Sequence, residues 1–444
     1  MTPAPSLTWL HLLPANAVCV SDPGVGWFGN ETGPRPADAP LVRVEYNQHA
    51  RNIHDLRPYS GLVAVNCRGI SSRQLREAGL VHQRRFAVLP SMAAARWFIP
   101  LDSPSISAAA FSLYTPARAS ARLKCMAIRA VMRTRLPVWY RDELLIAQRQ
   151  APPLEQMVAQ LFPQTDVRLG LSAGAPEGAR NRKASIAVIA PGGKMLAFGK
   201  LARSELASRL LKQEAAVLQR LEEPDFGVPL AAPRVLYAGD VDGGYALLQT
   251  PLAGSAPGSR LSAAHRSYLQ SLQTGRTVRA AETEMVAALT PRIAALGSHR
   301  EELSAALGEV MPILRQFRVP VTIVHGDFAP WNVRQHHRII AAFDWEYGQL
   351  SGLPLIDEIH FRLQVGLMLE HWSSAQGSAW LDELATASPL KMEPRHVRAI
   401  AVIYVIDQLA RLLGEGYDAK NDLVEWLLGL LALLAPRREE IAAA

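Results

Sequence analysis

The stretch Val324-His325-Gly326-Asp327-Phe328-Ala329-Pro330-Trp331-Asn332-Val333, with Phe343-Asp344-Trp345-Glu346 soon after it, constrains this chain more than any other part. It reads His-x-Asp-x-x-x-x-Asn and then, one short hairpin later, Asp. Ile323-Val324 predicts the end of a short apolar strand, and Pro330 keeps the following loop from becoming a helix. Val333 and Ile339 to Phe343 predict two strands joined by a polar turn around Gln335-His336-His337. Such a hairpin returns the chain beside its start, so Asn332 and Asp344 can face one metal ion with Asp327 close by. Phosphoryl transfer from a nucleotide asks for these parts. A carboxylate orients the acceptor hydroxyl and takes its proton, while an amide oxygen and a second carboxylate hold Mg²⁺ against the phosphates.

At these residues the sequence resembles the aminoglycoside phosphotransferase and choline kinase family, relatives of the protein kinases. The resemblance covers roughly residues 157–440 and is specific around residues 323–347. It implies an α+β, bilobal protein-kinase-like fold, with an antiparallel-sheet N-lobe over 157–253 and a mainly helical C-lobe over 254–444. It also implies ATP and Mg²⁺ as cofactors, Asp327 as catalytic base, Asn332 and Asp344 as metal ligands, and His325 as a brace for the loop. Asp357 fits an aspartate that ties the catalytic loop in place, and Glu358 stands where the family usually has an apolar residue. Glu346 points away from Asp344 if the segment is extended, and the sequence leaves its role open between support and acceptor contact. His336 and His337, adjacent in a hairpin turn, read as exposed rather than as metal ligands.

Upstream, Asp166 to Gly174 predicts a strand running into a loop with Gly174, Pro176 and Gly178. Ala184 to Ala190, the turn Pro191-Gly192-Gly193 and Met195 to Leu201 predict a hairpin. Backbone amides of the loop bearing Gly174 and Gly178 can approach phosphate, although the Gly-x-Gly-x-x-Gly spacing is absent. Ser204 to Leu221 predicts a helix with an apolar face of Leu206, Leu210, Leu211, Val217, Leu218 and Leu221. In kinase-like folds a strand lysine pairs with a helix glutamate and points at the nucleotide phosphates; Lys200 and Glu214 match in order and spacing. Tyr245 to Leu252 predicts a strand entering a connector, which the resemblance makes the hinge, with Gln249, Thr250 and Leu252 as candidates for the adenine edge. Helical periodicity follows over 282–296, 300–317, from Glu358, over 394–414 and over 423–434.

Residues 1–150 match nothing recognisable. The first forty, rich in Pro, Gly and Ala, predict irregular surface structure. Leu41 to Tyr46, Leu62 to Asn66 and Arg85 to Leu89 predict strands, with a short helix capped by Ser71-Ser72, which suggests a small α/β domain ending near Ala151-Pro152-Pro153. Ala117 to Arg135 predicts a helix with Arg118, Arg122, Arg129 and Arg133 on one stripe and Leu123, Met126, Ala130 and Val131 on another. Of the net charge of +7, the first 150 residues carry 18 basic against 9 acidic side chains, and the remainder 29 against 31. The basicity therefore belongs to the N-terminal third, which suits contact with an anionic lipid surface or a phosphorylated ligand; with no aromatic interleaving, nucleic acid is disfavoured.

Three scattered cysteines, Cys19, Cys67 and Cys125, predict free thiols and a reducing compartment. The late apolar run Trp426 to Ala435 is too short to span a bilayer. These features make the expected location cytoplasmic, with peripheral membrane contact as an option. The reading is a small-molecule kinase acting on a hydroxyl, a sugar or lipid-linked glycan in preference. The Phe-Ala-Pro-Trp-Asn and Phe-Asp-Trp-Glu-Tyr versions of the motif resemble kinases of bacterial sugar and surface-polysaccharide metabolism. No run of carboxylates suited to a polycationic aminoglycoside is present in the C-lobe. The alternative is a nucleotide-binding scaffold without turnover, recruited through the basic N-terminal region.

Overall fold

The computed structural model describes residues 12–13, 17–20, 40–47, 55–113, 119–134, 137–174, 180–223, 231–387 and 390–434. The chain forms two compact units, Met1–Leu211 with Val235–Pro251, and Lys212–Arg234 with Leu252–Ala444.

The first unit is built on one sheet. Its strands are β1 (Val18–Val20), β2 (Leu41–Tyr46), β3 (Gly61–Val65), β4 (His82–Leu89), β5 (Trp97–Pro100), β6 (Asp142–Gln148), β7 (Arg168–Ser172), β8 (Ala184–Ile189), β9 (Met195–Ala202), β10 (Val235–Val241) and β11 (Gly244–Gln249). Their spatial order is β1-β2-β3-β6-β4-β5-β7-β8-β9-β11-β10. The first three strands run parallel and every other neighbouring pair is antiparallel. Trp97 pairs with Ser172 and Phe98 with Leu171, so strands from before and after Ala151-Pro152-Pro153 join in a single sheet. At that point Pro153 opens helix α4 (Pro153–Leu161) rather than a linker; its buried Glu155 carboxylate lies 2.8 Å from His82 Nε2 and 3.1 Å from the Arg84 guanidinium.

Among the described residues three further helices accompany the sheet: α1 (Ser72–Glu77), α2 (Pro104–Ala110) and α3 (Ala119–Met132). Ser71 caps α1 through a reciprocal capping box with Gln74. The N-terminal forty residues are less irregular than expected where they are described. Leu12 and Leu13 are buried, the Leu12 carbonyl accepts from Gln148, and Val18–Val20 adds an edge strand. On α3 the expected apolar stripe is the solvent side. Leu123 and Met126 are 69% and 67% exposed, and the helix docks through Cys125 and Met132. Arg118 and the side chain of Arg122 lie outside the described residues.

Helix α5 (Glu205–Leu221) starts in the first unit and continues in the second. Ser204 Oγ accepts from the Ala207 N–H at 3.2 Å, the cap its sequence predicts. The rest of the second unit is mainly helical, comprising α6 (Ala263–Ser271), α7 (Glu284–Ala287), α8 (Leu289–Ala294), α9 (Arg300–Gln316), α10 (Ile356–Leu369), α11 (Ser374–Ala387), α12 (Pro394–Gly414) and α13 (Asp422–Leu434). The single helix expected over 282–296 is two short ones, with Pro291 in the first turn of the second, where its missing N–H removes no intrahelical bond. Helix α12 is buried around nearly its whole circumference from Val397 to Leu412 and packs against α8 to α11 and α13, which makes it the core of this unit. Five strands complete it: β12 (Gln273–Arg279), β13 (Arg318–Val324), β14 (Val333–His336), β15 (Ile339–Ala342) and β16 (Gln349–Gly352).

No helix among the described residues is long and apolar enough to cross a membrane. All three cysteines are free.

Candidate active site

The loop 325–332 joins β13 to the β14–β15 hairpin, whose register runs Val333↔Ala342 to His336↔Ile339. The turn falls at His337-Arg338, one residue later than expected, with His337 in the left-handed region and both histidines exposed. The hairpin does close the loop on itself, since Phe343 N–H donates to the Asn332 carbonyl at 3.0 Å.

Loop conformation is set by buried groups beneath it. Asp357, one residue into α10, accepts from the N–H groups of His325 at 2.7 Å and Gly326 at 2.9 Å. Burial raises its pKa, opposed by the neighbouring His325 imidazole and these two donors. His325 is fully buried; its Nδ1 accepts from the Asp327 N–H at 3.2 Å and its Nε2–H donates to the Phe343 carbonyl at 3.0 Å. That places the proton on Nε2, and burial, which lowers this pKa, favours the neutral ring both contacts require. Gly326 has φ +79°, and a Cβ there would sit 2.4 Å from the Tyr347 carbonyl oxygen, so only glycine fits. Arg411 of α12 donates to the Gly326 carbonyl at 3.3 Å and lies 3.9 Å from the centroid of the Tyr347 ring.

Asp327 projects from this frame with its side chain 26% exposed. One carboxylate oxygen accepts from Asn332 Nδ2 at 2.7 Å and the other from His360 Nε2 at 2.9 Å. Asn332 Nδ2 also donates to the Asp327 carbonyl at 3.0 Å. With both amide hydrogens committed, the Asn332 Oδ1 remains the acceptor end of the group, which suits a hard cation.

Asp344 follows β15 in the left-handed region at φ +74°. The chain turns there, and the carboxylate of Glu346 comes to the same side as that of Asp344. One carboxylate oxygen from each of Asp344, Glu346 and Glu214 lies within 4.8 Å of the others. Oxygen donors at this spacing fit Mg²⁺, which takes carboxylates and dehydrates reluctantly. Glu214 is fully buried in α5, while Lys200 is half-buried on β9, opposite Leu247 and Ser185. Lys200 and Glu214 fall in different units.

The remaining nucleotide-site candidates are dispersed along the first unit and its end. Gly174 has φ +67°, and a Cβ would meet the Lys183 carbonyl at 2.1 Å, so the chain needs glycine there for its own backbone packing. Gly178 lies outside the described residues. Gln249, buried, ends β11, and half-buried Thr250 and Leu252 follow where the chain passes from the first unit to the second.

Motif reading missed His360, Tyr404 and Arg411. The one available signal was the placement of His360 three residues beyond Asp357, on the same helical face.

A family model described as "Phosphotransferase enzyme family" matches residues 178–396, just under half of the chain. No curated protein sequence matches it. Among solved structures the chain is similar to a thermostable mutant of aminoglycoside phosphotransferase APH(4)-Ia in ternary complex with ADP and hygromycin B, at 19% identity and TM-score 0.43, covering 63% of this chain and 97% of that one. It is similar also to the streptomycin-ATP-APH(2")-IIa complex, at 14% identity and TM-score 0.38 over 63% of this chain and 95% of that one. ADP-bound APH(2'')-Ib gives 14% identity and TM-score 0.39 over 64% and 97%.

Proposed function

On the premise that the chain belongs, through residues 178–396, to the phosphotransferase enzyme family, we propose that it transfers the γ-phosphoryl group of ATP to a hydroxyl of a small molecule. Asp327 is the base, and a sugar or glycan-like acceptor is preferred. The observation that carries this reading is the Asp327 carboxylate held from both sides, at 2.7 Å by Asn332 and 2.9 Å by His360, on a loop pinned by Asp357.

A carboxylate held in this way keeps its remaining lone pairs aimed outward. There it accepts the hydroxyl hydrogen and orients the oxygen for in-line attack. As the new O–P bond forms and the bond from the γ-phosphorus to the bridging oxygen breaks, ADP leaves and the hydroxyl proton passes to Asp327. Mg²⁺ held by Asn332 Oδ1 and the Asp344 carboxylate would supply charge neutralisation across the phosphates. Lys200 is the ammonium proposed to contact those phosphates, with Glu214 as the carboxylate that orients it. Gln249, Thr250 and Leu252 are proposed along the adenine edge, and the Gly174 loop near the phosphates. The sugar preference rests on the resemblance of Phe328 to Asn332 and Phe343 to Tyr347.

Incubation with [γ-³²P]ATP, Mg²⁺ and the polar and lipid fractions of a source-cell extract tests the reading. Label entering a small molecule supports it; label released only as orthophosphate, at the same rate with Asp327→Asn, contradicts it.

For the N-terminal region we propose contact with an anionic lipid surface through α3. Its exposed Leu123 and Met126 share the helix with exposed Lys124, and exposed Arg133 follows its last residue, the composition of an interfacial helix. Binding to phosphatidylserine vesicles that weakens with salt supports this. Equal binding to neutral vesicles, or none at low salt, removes it.

A further inference from the structure

We propose that His360 is the positioning residue of the catalytic carboxylate, and that Tyr404 sets its ring in the donating form. The inference rests on the reading of Asp327 as base and adds the groups that aim it.

His360 lies on α10, one helical turn after Asp357, so the two share a face. One helix thus fixes the loop twice: Asp357 holds its backbone through two N–H groups, and His360 holds the side chain that the loop presents. His360 is fully buried and Tyr404 is 1% exposed, so water does not compete for either contact. The Asp327 oxygens accept and never donate in the ionised form, so the nitrogen 2.9 Å from Oδ1 must be Nε2–H. A lone pair there would face another lone pair.

The other ring nitrogen completes the assignment. Tyr404 Oη lies 3.2 Å from Nδ1. With Nε2 carrying the hydrogen, Nδ1 is left as an acceptor, and the Tyr404 O–H is the donor that reaches it. A directed chain of donors therefore runs Tyr404, His360, Asp327. Asn332 approaches from the opposite side, so Asp327 can neither rotate about its Cβ–Cγ bond nor swing toward bulk water without losing a hydrogen bond. Preorganisation of this kind acts on turnover, because a misplaced base still leaves the nucleotide bound. His360 and Tyr404 act only through Asp327.

The test uses the full chain with Mg-ATP and water as acceptor, reading kcat and KM for ATP from release of ³²P-orthophosphate, with the same variants repeated on the extract fractions. His360→Leu is expected to lower kcat about 10–100-fold while leaving KM for ATP within about two-fold. His360→Gln, whose amide nitrogen reaches nearly the place of Nε2, is expected to recover most of the loss. Tyr404→Phe, which keeps the ring and removes only the hydroxyl, is expected to lower kcat by less than His360→Leu does. In the double variant with Asp327→Asn, His360→Leu should add nothing further, because an aimed base no longer exists. If His360→Leu does not fold, the Gln and Phe variants carry the test: Gln near wild type with Phe reduced upholds the inference. Normal kcat in Tyr404→Phe or His360→Leu, with Asp327→Asn inactive, overturns it alone. Normal kcat in Asp327→Asn instead overturns the assignment of the base beneath it.

Discussion

Asn332 and Asp327, five residues apart in one loop, are locked together twice, with the Asn332 amide donating to the Asp327 carboxylate at 2.7 Å and to its carbonyl at 3.0 Å. The amide nitrogen is thereby spent on the base and the amide oxygen is left for a cation. Asp327→Asn removes the proton acceptor without changing shape. Turnover should fall about 10²–10⁴-fold with cooperative unfolding retained at a lowered melting temperature, because one accepting oxygen is lost to Asn332 or His360, which kinetics and calorimetry on one preparation will check.

Asp344→Ala and Glu346→Gln probe the carboxylate group. Loss of Asp344 strips charge stabilisation worth several kcal/mol from the transition state, so activity should drop by roughly three orders of magnitude or more. Glu346→Gln should raise the Mg²⁺ concentration needed for half-maximal activity, because its carboxylate lies in the same cluster. A titration of activity against Mg²⁺, with EDTA abolishing it, reads both effects.

Asp357→Ala leaves the buried N–H groups of His325 and Gly326 without their acceptor. Unfolding free energy should fall by about 3 kcal/mol, measured by denaturant titration. Gly326→Ala instead forces a side chain against the Tyr347 carbonyl at φ +79°, so the catalytic loop should be displaced and turnover lost.

Acid sensitivity has a specific source in His265. Burial, with the nearby Arg266 charge, lowers its pKa from 6.5 to about 4. The neutral ring accepts at Nδ1 from the Ser262 N–H, at 3.2 Å, and lies 2.7 Å from the Ser262 hydroxyl. Between these two values the unfolded chain binds a proton that the folded chain does not, so stability rises with pH across that window and is lost as pH falls through it. His265→Gln keeps an acceptor at the same capping position and does not titrate. Its melting temperature should decline less than that of the wild type between pH 6.5 and 4.

Lys200→Ala should raise KM for ATP and lower kcat. Unchanged kinetics would show that another cation contacts the phosphates.

The catalytic loop was legible in the sequence because its information is local: Pro330, the strand ends and the hairpin lie within a few residues of one another. Of the groups under the loop, the family resemblance singled out Asp357 and His325 but not the others. His360 reaches Asp327 from 33 residues away and Arg411 reaches Gly326 from 85, and no periodicity announces such pairings. The place of Glu346 was left open in the sequence, because it depends on the left-handed turn at Asp344, φ +74°, and on Glu214 more than a hundred residues earlier. Non-local pairing also hid the β5–β7 junction that makes the first unit one sheet. The β10–β11 hairpin, by contrast, carried an overlooked signal, the Asp242-Gly243 dipeptide, both residues at positive φ. On α3, period alone could not say which of two stripes faces inward, since Leu123 and Met126 share the helix with Cys125 and Met132.

The most direct test of phosphoryl transfer by Asp327 is mass spectrometry of a source-cell extract, polar and lipid fractions together, after incubation with Mg-ATP and either the wild-type chain or Asp327→Ala. The account predicts a species heavier by one phosphoryl group in the wild-type sample alone. Its appearance in both samples, or its absence from both while Mg-dependent ATP binding persists, would contradict the account.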